Sequence, residues 1–362
     1  MLYSIIAWLA VRKQIIAPMY ESRNAPPVTI LKPLCGAEPE TYACLRSFCL
    51  QDYPEYQIIF GIADANDPAV AIVERLQREL PNQDLRISID RRQHGINRKV
   101  SNLINMMEFA RHNVLVFADS DVCVTNDYLA KIAGPLLDKN VGIVTCTYRG
   151  NPRSGLWSRL GALFINEWFV PSVRVAAMGG SRSFAFGATI AIRREVLAGV
   201  GGLRSIADQL ADDYRLGELT RRAGLRTVLS EVVVETFVSE TTLSQLVGHE
   251  LRWLRTIRAV RPGGYIFSFL TFGLPVAALG SVLAEGSIAT LGTLATTTLF
   301  RVLLHLRVRR PSSSPTQVLL LPIREILSLG LWVWSFATRR VQWRDYRFHV
   351  ARDGSVQIIE SV

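Results

Sequence analysis

The sequence predicts an α/β domain on a mostly parallel, doubly wound sheet, followed by apolar helices that meet a membrane. Three observations predict it. From Val28 onward short β-branched runs alternate with segments of helical period, the pattern of strands joined by helical crossovers. Two of those strands end on acids, Asp64 after "IIFGIA" and Asp119 with Asp121 after "VLVFA". The apolar excess of a 362-residue chain that is 49% hydrophobic gathers in its last hundred residues.

In chain order, "MLYSIIAWLAVRKQ" is too short an apolar run to span a bilayer, so residues 1–20 are expected to be an interfacial anchor or the stub of a longer helix. "VTILKPL" reads as a strand, with a helix around Glu38 to Leu50; "YQIIFGIAD" as a strand, with a helix beginning after Pro68. "LRISID" is followed by a helix from Asn97 to Ala110, and then come "VLVFADSD" and "VGIVTCTYR". In a sheet of this kind ligands bind beyond the carboxyl ends of the strands. Leu156 to Met178 places Leu156, Leu160, Leu163, Phe164 and Trp168 on one helical face, and Pro171 should end that helix. The face suits a protein core or a bilayer interface. A strand "ATIAIRR", a turn at Gly201-Gly202 and a helix around "LADDYRLGELTRRAG" complete the polar part.

Tyr265 to Leu283 then holds 19 residues without a charge, enough to cross a hydrocarbon core as helix. Ser287 to Leu304 carries only Arg301, and Val318 to Ala337 is broken by Arg324 and Glu325. Two crossings leave the basic stretch 301–311 on the cytoplasmic side. A third would expose the arginines of 339–347 outside, so 318–337 is expected to be re-entrant or interfacial. The division that follows is an anchor at 1–20, a catalytic domain at 28–262, a membrane region at 263–338 with a "PSSSP" linker at 311–315, and a basic tail at 339–362.

The net charge of +10 gathers near the apolar runs, which favours lipid headgroups as partner. No helix-turn-helix, zinc-finger or RNP pattern is present, so no nucleic-acid partner is expected. Five cysteines without CxxC spacing are expected to be reduced thiols.

The acids carry the chemistry. Asp119 and Asp121 put two carboxylates within reach of one divalent cation, and oxygen ligands suit Mg²⁺ or Mn²⁺. In "ADDY", Asp212 fits the favourable end of a helix dipole, whereas Asp213 suits a general base taking the proton of an attacking alcohol. Lys32, Arg98 and Lys99 are candidate phosphate partners. "GHELRWLRTIRAVRPGGY", Gly248 to Tyr265, reads either as a positive-inside flank or as part of a site.

The ordered motifs "ILKPLCG", "GIADANDPA", "NRKVSNL", "FADSD", "FGATIAIRREVL", "LADDY" and "HELRW" resemble family 2/21-type glycosyltransferases, in particular the ceramide glucosyltransferase group. Within it the chain looks most like bacterial hopanoid-associated N-acetylglucosaminyltransferases. The likeness runs from Val28 to Tyr265 and continues weakly through "VQWRDYRF". It implies a GT-A fold, a UDP-sugar donor, a membrane lipid alcohol as acceptor and inversion at the anomeric carbon. It also implies Asp64 near the uracil, Asp119 and Asp121 at the ribose and metal, Asp213 as base, and Arg252 with Trp253 at the diphosphate and acceptor. His249 stands where the wider family carries Gln or Arg, which favours the hopanoid branch; a protonated imidazole would aid a diphosphate contact and a neutral one would weaken it. The expectation is therefore a bacterial inner-membrane enzyme with its catalytic domain facing the cytoplasm. It would transfer N-acetylglucosamine to a bacteriohopanepolyol or, alternatively, glucose to ceramide. A processive polysaccharide synthase should carry Gln at 249 and more helices, and a non-catalytic relative should have lost the acids.

Overall fold

Side chains that alternate between two apolar layers build the sheet. The computed structural model describes residues 1–11, 25–153, 155–181, 184–309, 315–343, 346–351 and 354–361. Residues 12–20 of the expected anchor and 311–314 of the expected linker lie outside them, as do 344–345, 352–353 and 362 of the expected tail. In chain order the elements are α1 (Leu2–Ala10), β1 (Val28–Leu34), α2 (Thr41–Cys49), β2 (Tyr56–Ile62), α3 (Ala69–Glu79), β3 (Asp84–Ile89), α4 (Arg98–Met106), β4 (Val114–Phe117), β5 (Val122–Cys123), α5 (Tyr128–Ala133) and β6 (Val141–Pro152). There follow α6 (Gly155–Phe164), α7 (Val170–Met178), β7 (Ile190–Arg193), α8 (Arg194–Gly199), α9 (Asp212–Arg222), β8 (Arg226–Val238), α10 (Leu243–Val260), α11 (Pro262–Ile266), α12 (Gly273–Leu283), α13 (Ile288–Val308), α14 (Leu321–Ser335), β9 (Arg340–Trp343), β10 (Tyr346–Val350) and β11 (Val356–Ser361). The described residues divide into two compact units, one drawn from 15–148 and 182–237, the other from 1–14, 149–181 and 238–362.

The first unit is the sheet, in the order β3-β2-β1-β4-β7-β6-β8-β5. β1 pairs in parallel with β2 and β4, and β2 with β3, with Val28 opposite both Tyr56 and Val114. Ile30, Ile58 and Val116 face one layer with Leu45, Phe48, Val73 and Leu76. Their neighbours Leu31, Ile59 and Leu115 face the other with Val100, Leu103, Met106 and Leu216. Burial on both faces is why these strands read as continuous apolar runs. α4 lies so close over β2 that a Cβ on Gly61 would stand 2.1 Å from Asn102 Oδ1, and Asn102 donates to the Gly61 carbonyl at 2.8 Å. Parallel winding stops at β4: β7 pairs antiparallel with β4 and β6, and β8 antiparallel with β5. The expected reduced thiols are corrected at one pair. Packing α2 beside β5 brings the Cα atoms of Cys44 and Cys123 to 4.3 Å, and a disulfide joins them; Cys35, Cys49 and Cys146 are free.

In the second unit, Pro171 does not end the 156–178 helix. A π-helical turn over Ile165–Phe169 precedes it, so the proline falls in the first turn of α7, where no N–H donor is needed. The face raised from sequence is core: Leu160 and Leu163 pack with Leu246 and Leu321, and Phe164 with Leu251, Leu254 and Leu331. Leu156 alone of the set is 45% exposed. The uncharged run 265–283 is not one straight helix. It bends by 70° between a Pro262–Thr271 segment and Gly273–Leu283, with Phe272 out of helical backbone at ψ 73°; Pro275 lacks an N–H and its ring crowds the carbonyl four residues before it, that of Thr271. The Glu325 carboxylate accepts from the freed Leu274 N–H at 2.7 Å, as an orphan donor at a helix start requires.

Two helices, Ile288–Val308 and Thr316–Ser335, are long and apolar enough to cross a membrane. Their buried charges are paired. Arg301 meets Glu325 and Glu167, His305 meets Glu167 at 2.6 Å, and Arg324 forks onto Glu250 at 2.7 and 2.8 Å. α14 runs beside α10 in the same direction, from Leu321 against Leu246 to Ser335 hydrogen-bonded with Tyr265 at 2.7 Å. α1 packs on α13 through Trp8 and Phe300 and bonds α7 through Tyr3 and Ser172 at 2.8 Å. The stretch expected as a basic tail carries a three-stranded antiparallel sheet, β11-β10-β9.

Candidate active site

The carboxyl ends of β1, β2 and β4 deliver Lys32, Asp64 and the Asp119–Asp121 turn to one edge of the parallel half. β1 is the strand where the order reverses between β2 and β4, the usual place for a ligand crevice. Lys32 is not a solvent-facing phosphate ligand as its sequence suggested. It is fully buried, donates to the Asp119 carbonyl at 2.5 Å and lies 3.9 Å from the Phe48 ring centre. Burial lowers its ammonium to about 7, against the pull of Asp121 and Asp119. Its visible work is to hold the backbone of the acid turn.

Lys99 sits in the first turn of α4, whose cap is Asn97, accepting from Val100 N. Its ammonium reaches Asp119 at 2.7 Å and Asp212 at 3.6 Å. Burial alone would lower its pKa, and the charges of Asp119 and Asp212 raise it. Asp213 begins α9 beside Asp212 and accepts from the Gly187 N–H at 2.8 Å. Burial first, and the Asp212 charge second, push its carboxyl up to about 6, against Lys99. A Cβ on Gly187 would stand 3.1 Å from Lys99 Nζ, 3.2 Å from Asp119 Oδ2 and 3.5 Å from Asp213 Oδ2. The glycine thus marks a small cradle in which a cation and two acids from three elements converge.

Asp121 accepts from Thr236 Oγ1 at 2.5 Å. Its carboxyl is raised by burial and by the Asp119 charge, in spite of the Thr236 bond. Two carboxylates of one turn offer the hard oxygens a divalent cation takes, completed by phosphate and water, although Asp119 is also paired with Lys99 and among the described residues no group of three His, Cys, Asp or Glu side chains gathers as a ready-made cage. Asp64 stands apart, its carboxylate accepting from Asn66 N at 3.0 Å and paired with Arg91 at 3.0 Å. The Asn66 bond and then Arg91 hold it below its ordinary range. Arg98 occupies the first position of α4.

In the second unit, α10 carries His249, Arg252 and Trp253. Thr242 caps the helix by accepting from Gln245 N, and Gln245 Oε1 accepts from Thr241 N, a close relative of the capping box. His249 Nδ1 lies 2.5 Å from Glu240 Oε1, and its ring meets the edge of Trp253 at 4.4 Å. Further along the helix, Arg255 donates to the Arg340 carbonyl and Arg258 to that of Thr338. Sequence reasoning missed Gly187, Thr236 and Glu240. Gly187 was visible only as part of "FGATIAIRR"; Thr236 and Glu240 carried no local signal, since their partners lie on other elements.

The model of glycosyl transferase family 21 matches residues 1–356. The chain belongs to glycosyl transferase family 21. It is a glycosyltransferase. Among curated relatives, ceramide glucosyltransferase 3 of Caenorhabditis elegans is 24% identical over 349 residues, covering 93% of this chain and 75% of that protein. Ceramide glucosyltransferase of Komagataella phaffii is 36% identical over 108 residues, 29% of this chain and 21% of that one. Ceramide glucosyltransferase 1 of Caenorhabditis elegans is matched over 51% of its length. The solved mannosyltransferase of Pyrobaculum calidifontis, in complex with GDP-mannose and Mn²⁺, superposes with a TM-score of 0.56 at 19% identity, covering 90% of this chain and 94% of that one. The fold of this chain is therefore of the GT-A type, as the motif order implied.

Proposed function

We propose that this family 21 member transfers a hexose from a UDP-sugar to the hydroxyl of a membrane lipid with inversion, glucose to a ceramide-type acceptor being the first reading. The observation that carries the chemistry is the cradle at Gly187, where Asp213 lies with Asp119 and Lys99. A carboxyl raised to about 6 is ionised at neutral pH, yet basic enough to take a proton from an attacking alcohol. The Gly187 N–H fixes one of its oxygens, and Lys99 offsets the push of the Asp212 charge. Asp64 reads the base, and Asp119 holds the ribose. Asp119 and Asp121 would hold Mg²⁺ or Mn²⁺, which supplies charge neutralisation for the diphosphate when bound. Arg252 offers a planar fork suited to phosphate oxygens, and Trp253 an apolar wall with one N–H.

The curated relatives' names favour ceramide over the hopanoid acceptor suggested by the motif likeness and by His249. A membrane setting is supported by the apolar helices. The bent 262–283 segment and α13 form the in-and-out pair, while α14 lies at the interface beside α10. The chain's catalytic domain faces the cytoplasm of a bacterial inner membrane, where nucleotide sugars are. Membranes containing the protein, given UDP-glucose, UDP-N-acetylglucosamine or UDP-galactose with ceramide or a hopanoid, test the reading by mass spectrometry of the lipid extract. A hexosylceramide formed from UDP-glucose is expected; a glycosylated hopanoid alone would move the assignment to the other branch, and no product from any pair would overturn it. Excess chelator should abolish transfer and added Mn²⁺ or Mg²⁺ restore it; full activity in chelator would remove the metal from the reading.

A further inference from the structure

His249 departs from the family motif, and the structure supplies its partner from outside that motif. Glu240 lies in the link between β8 and α10, two residues before the Thr242 cap that fixes the start of the helix. Its side chain is 11% exposed and meets His249 Nδ1 at 2.5 Å, while the imidazole is 36% exposed. The other carboxylate oxygen, Oε2, is buried and has no hydrogen-bond partner, so among the described side chains His249 is the one bonded to this carboxylate. α6 seals the spot: a Cβ on Gly161 would come 2.8 Å from Val238 Cγ1 and 3.5 Å from Glu240 Oε2. Burial would raise the Glu240 carboxyl, and the His249 hydrogen bond and charge outweigh it, leaving it below its ordinary range. Trp253, one turn on, meets the ring at 4.4 Å and limits its rotation.

A carboxylate held on one ring nitrogen fixes both tautomer and orientation of an imidazole. We propose that Glu240 is a positioning residue for the glycosyl transfer: it keeps a proton on His249 Nδ1, so that Nε2 is the nitrogen left to act, as an acceptor in the neutral ring and as a donor once the ring is doubly protonated. The inference rests on the reading of His249 as a substrate-binding residue. It explains how a histidine serves where the family carries Gln or Arg. A glutamine brings its own fixed donor and acceptor, whereas the role open to the imidazole Nε2 depends on where the ring proton is held.

The test is a double-mutant cycle on the full chain in membranes, with kcat and KM for UDP-sugar measured separately. Glu240→Gln keeps shape and one acceptor but loses the charge. It is expected to lower kcat about tenfold, the scale of one hydrogen bond to a charged group, while KM for UDP-sugar changes little. Glu240→Asp should recover part of the loss. In a His249→Gln background the same Glu240→Gln change should have no further effect, since there is no imidazole left to hold. Unchanged kcat in Glu240→Gln, or the same loss with and without His249, overturns the proposal. Should the variants fail to fold, ¹⁵N-histidine spectra of the wild type decide, with the His249 signal assigned by its loss in His249→Gln. Protonated Nδ1 is expected; a proton on Nε2 alone overturns it. A wild type that transfers no sugar at all sinks the functional reading and this inference together. Normal wild-type transfer with a silent Glu240→Gln sinks only this one.

Discussion

Asp213 sits at about 6 because burial and Asp212 disfavour its charge, and this has two consequences of opposite sign. For catalysis the carboxylate is the working form, so turnover should rise with pH through about 6 and level off above. For folding the sign is reversed. The native state holds the proton more tightly than the unfolded chain, so this group's contribution to stability is complete below about 4 and is lost as pH rises through about 6. Asp213→Asn keeps an oxygen for the Gly187 N–H and removes the charge. Its turnover should fall by about 10²-fold or more with UDP affinity nearly unchanged, while its melting temperature at pH 7 stays level or rises. Near-normal turnover would remove Asp213 from the base role. Asp212→Asn should be milder, because its carboxylate is tied to Lys99 at 3.6 Å.

The apolar helices of the second unit are joined by charge as well as by packing. Arg301 on α13 reaches Glu325 on α14 and Glu167 on the π-helical turn, which also meets His305. Removing one member of a buried pair leaves an uncompensated charge, at a cost of about 3–5 kcal/mol. Arg301→Ala should therefore lower the melting temperature in detergent sharply, and Arg301→Ala with Glu167→Gln and Glu325→Gln should regain part of it. Equal melting of wild type and the single variant would mean the charges are not paired. In the sheet unit, the Cys44–Cys123 disulfide closes a separation of 79 residues and is expected to contribute about 2–4 kcal/mol. Reductant should lower wild-type stability to that of Cys123→Ser and leave the variant unmoved. Insensitivity of the wild type would show that the thiols are not joined.

For the whole molecule the topology can be checked through cysteine labelling. Ser287 caps α13 at the turn after Gly286, whose φ of 71° closes it. If the bent segment and α13 form an in-and-out pair, Ser287→Cys should react with a membrane-impermeant maleimide from outside the cell. Exposed Cys35 should react only after lysis. Labelling of both from the same side would overturn the proposed orientation.

Local pattern determined much of this protein. Strand and helix order from Val28 to Phe117 was legible because a strand buried on both faces is a continuous apolar run and a crossover helix has its own period, whereas α5 and β8 went unread. The position of Asp64 and Asp119 at strand ends followed from the same signal, as did the motif order that implied GT-A. Partners were not legible. Lys32 looked like a phosphate ligand, and only the packing of β1 against α2 and β4 shows it buried on the Asp119 carbonyl. The carboxylates that accept Arg301 and Arg324 lie on other elements of the same unit, and so does the disulfide partner of Cys123. Composition cannot price a charge without its neighbour, nor can spacing place two residues of different elements side by side. Tertiary structure also decided that Leu160 and Phe164 face core rather than lipid, that Pro171 is absorbed by a π turn, and that the uncharged run 265–283 bends at Phe272. In each case the sequence specified which groups had to be buried or satisfied, and only three-dimensional packing could supply what satisfied them.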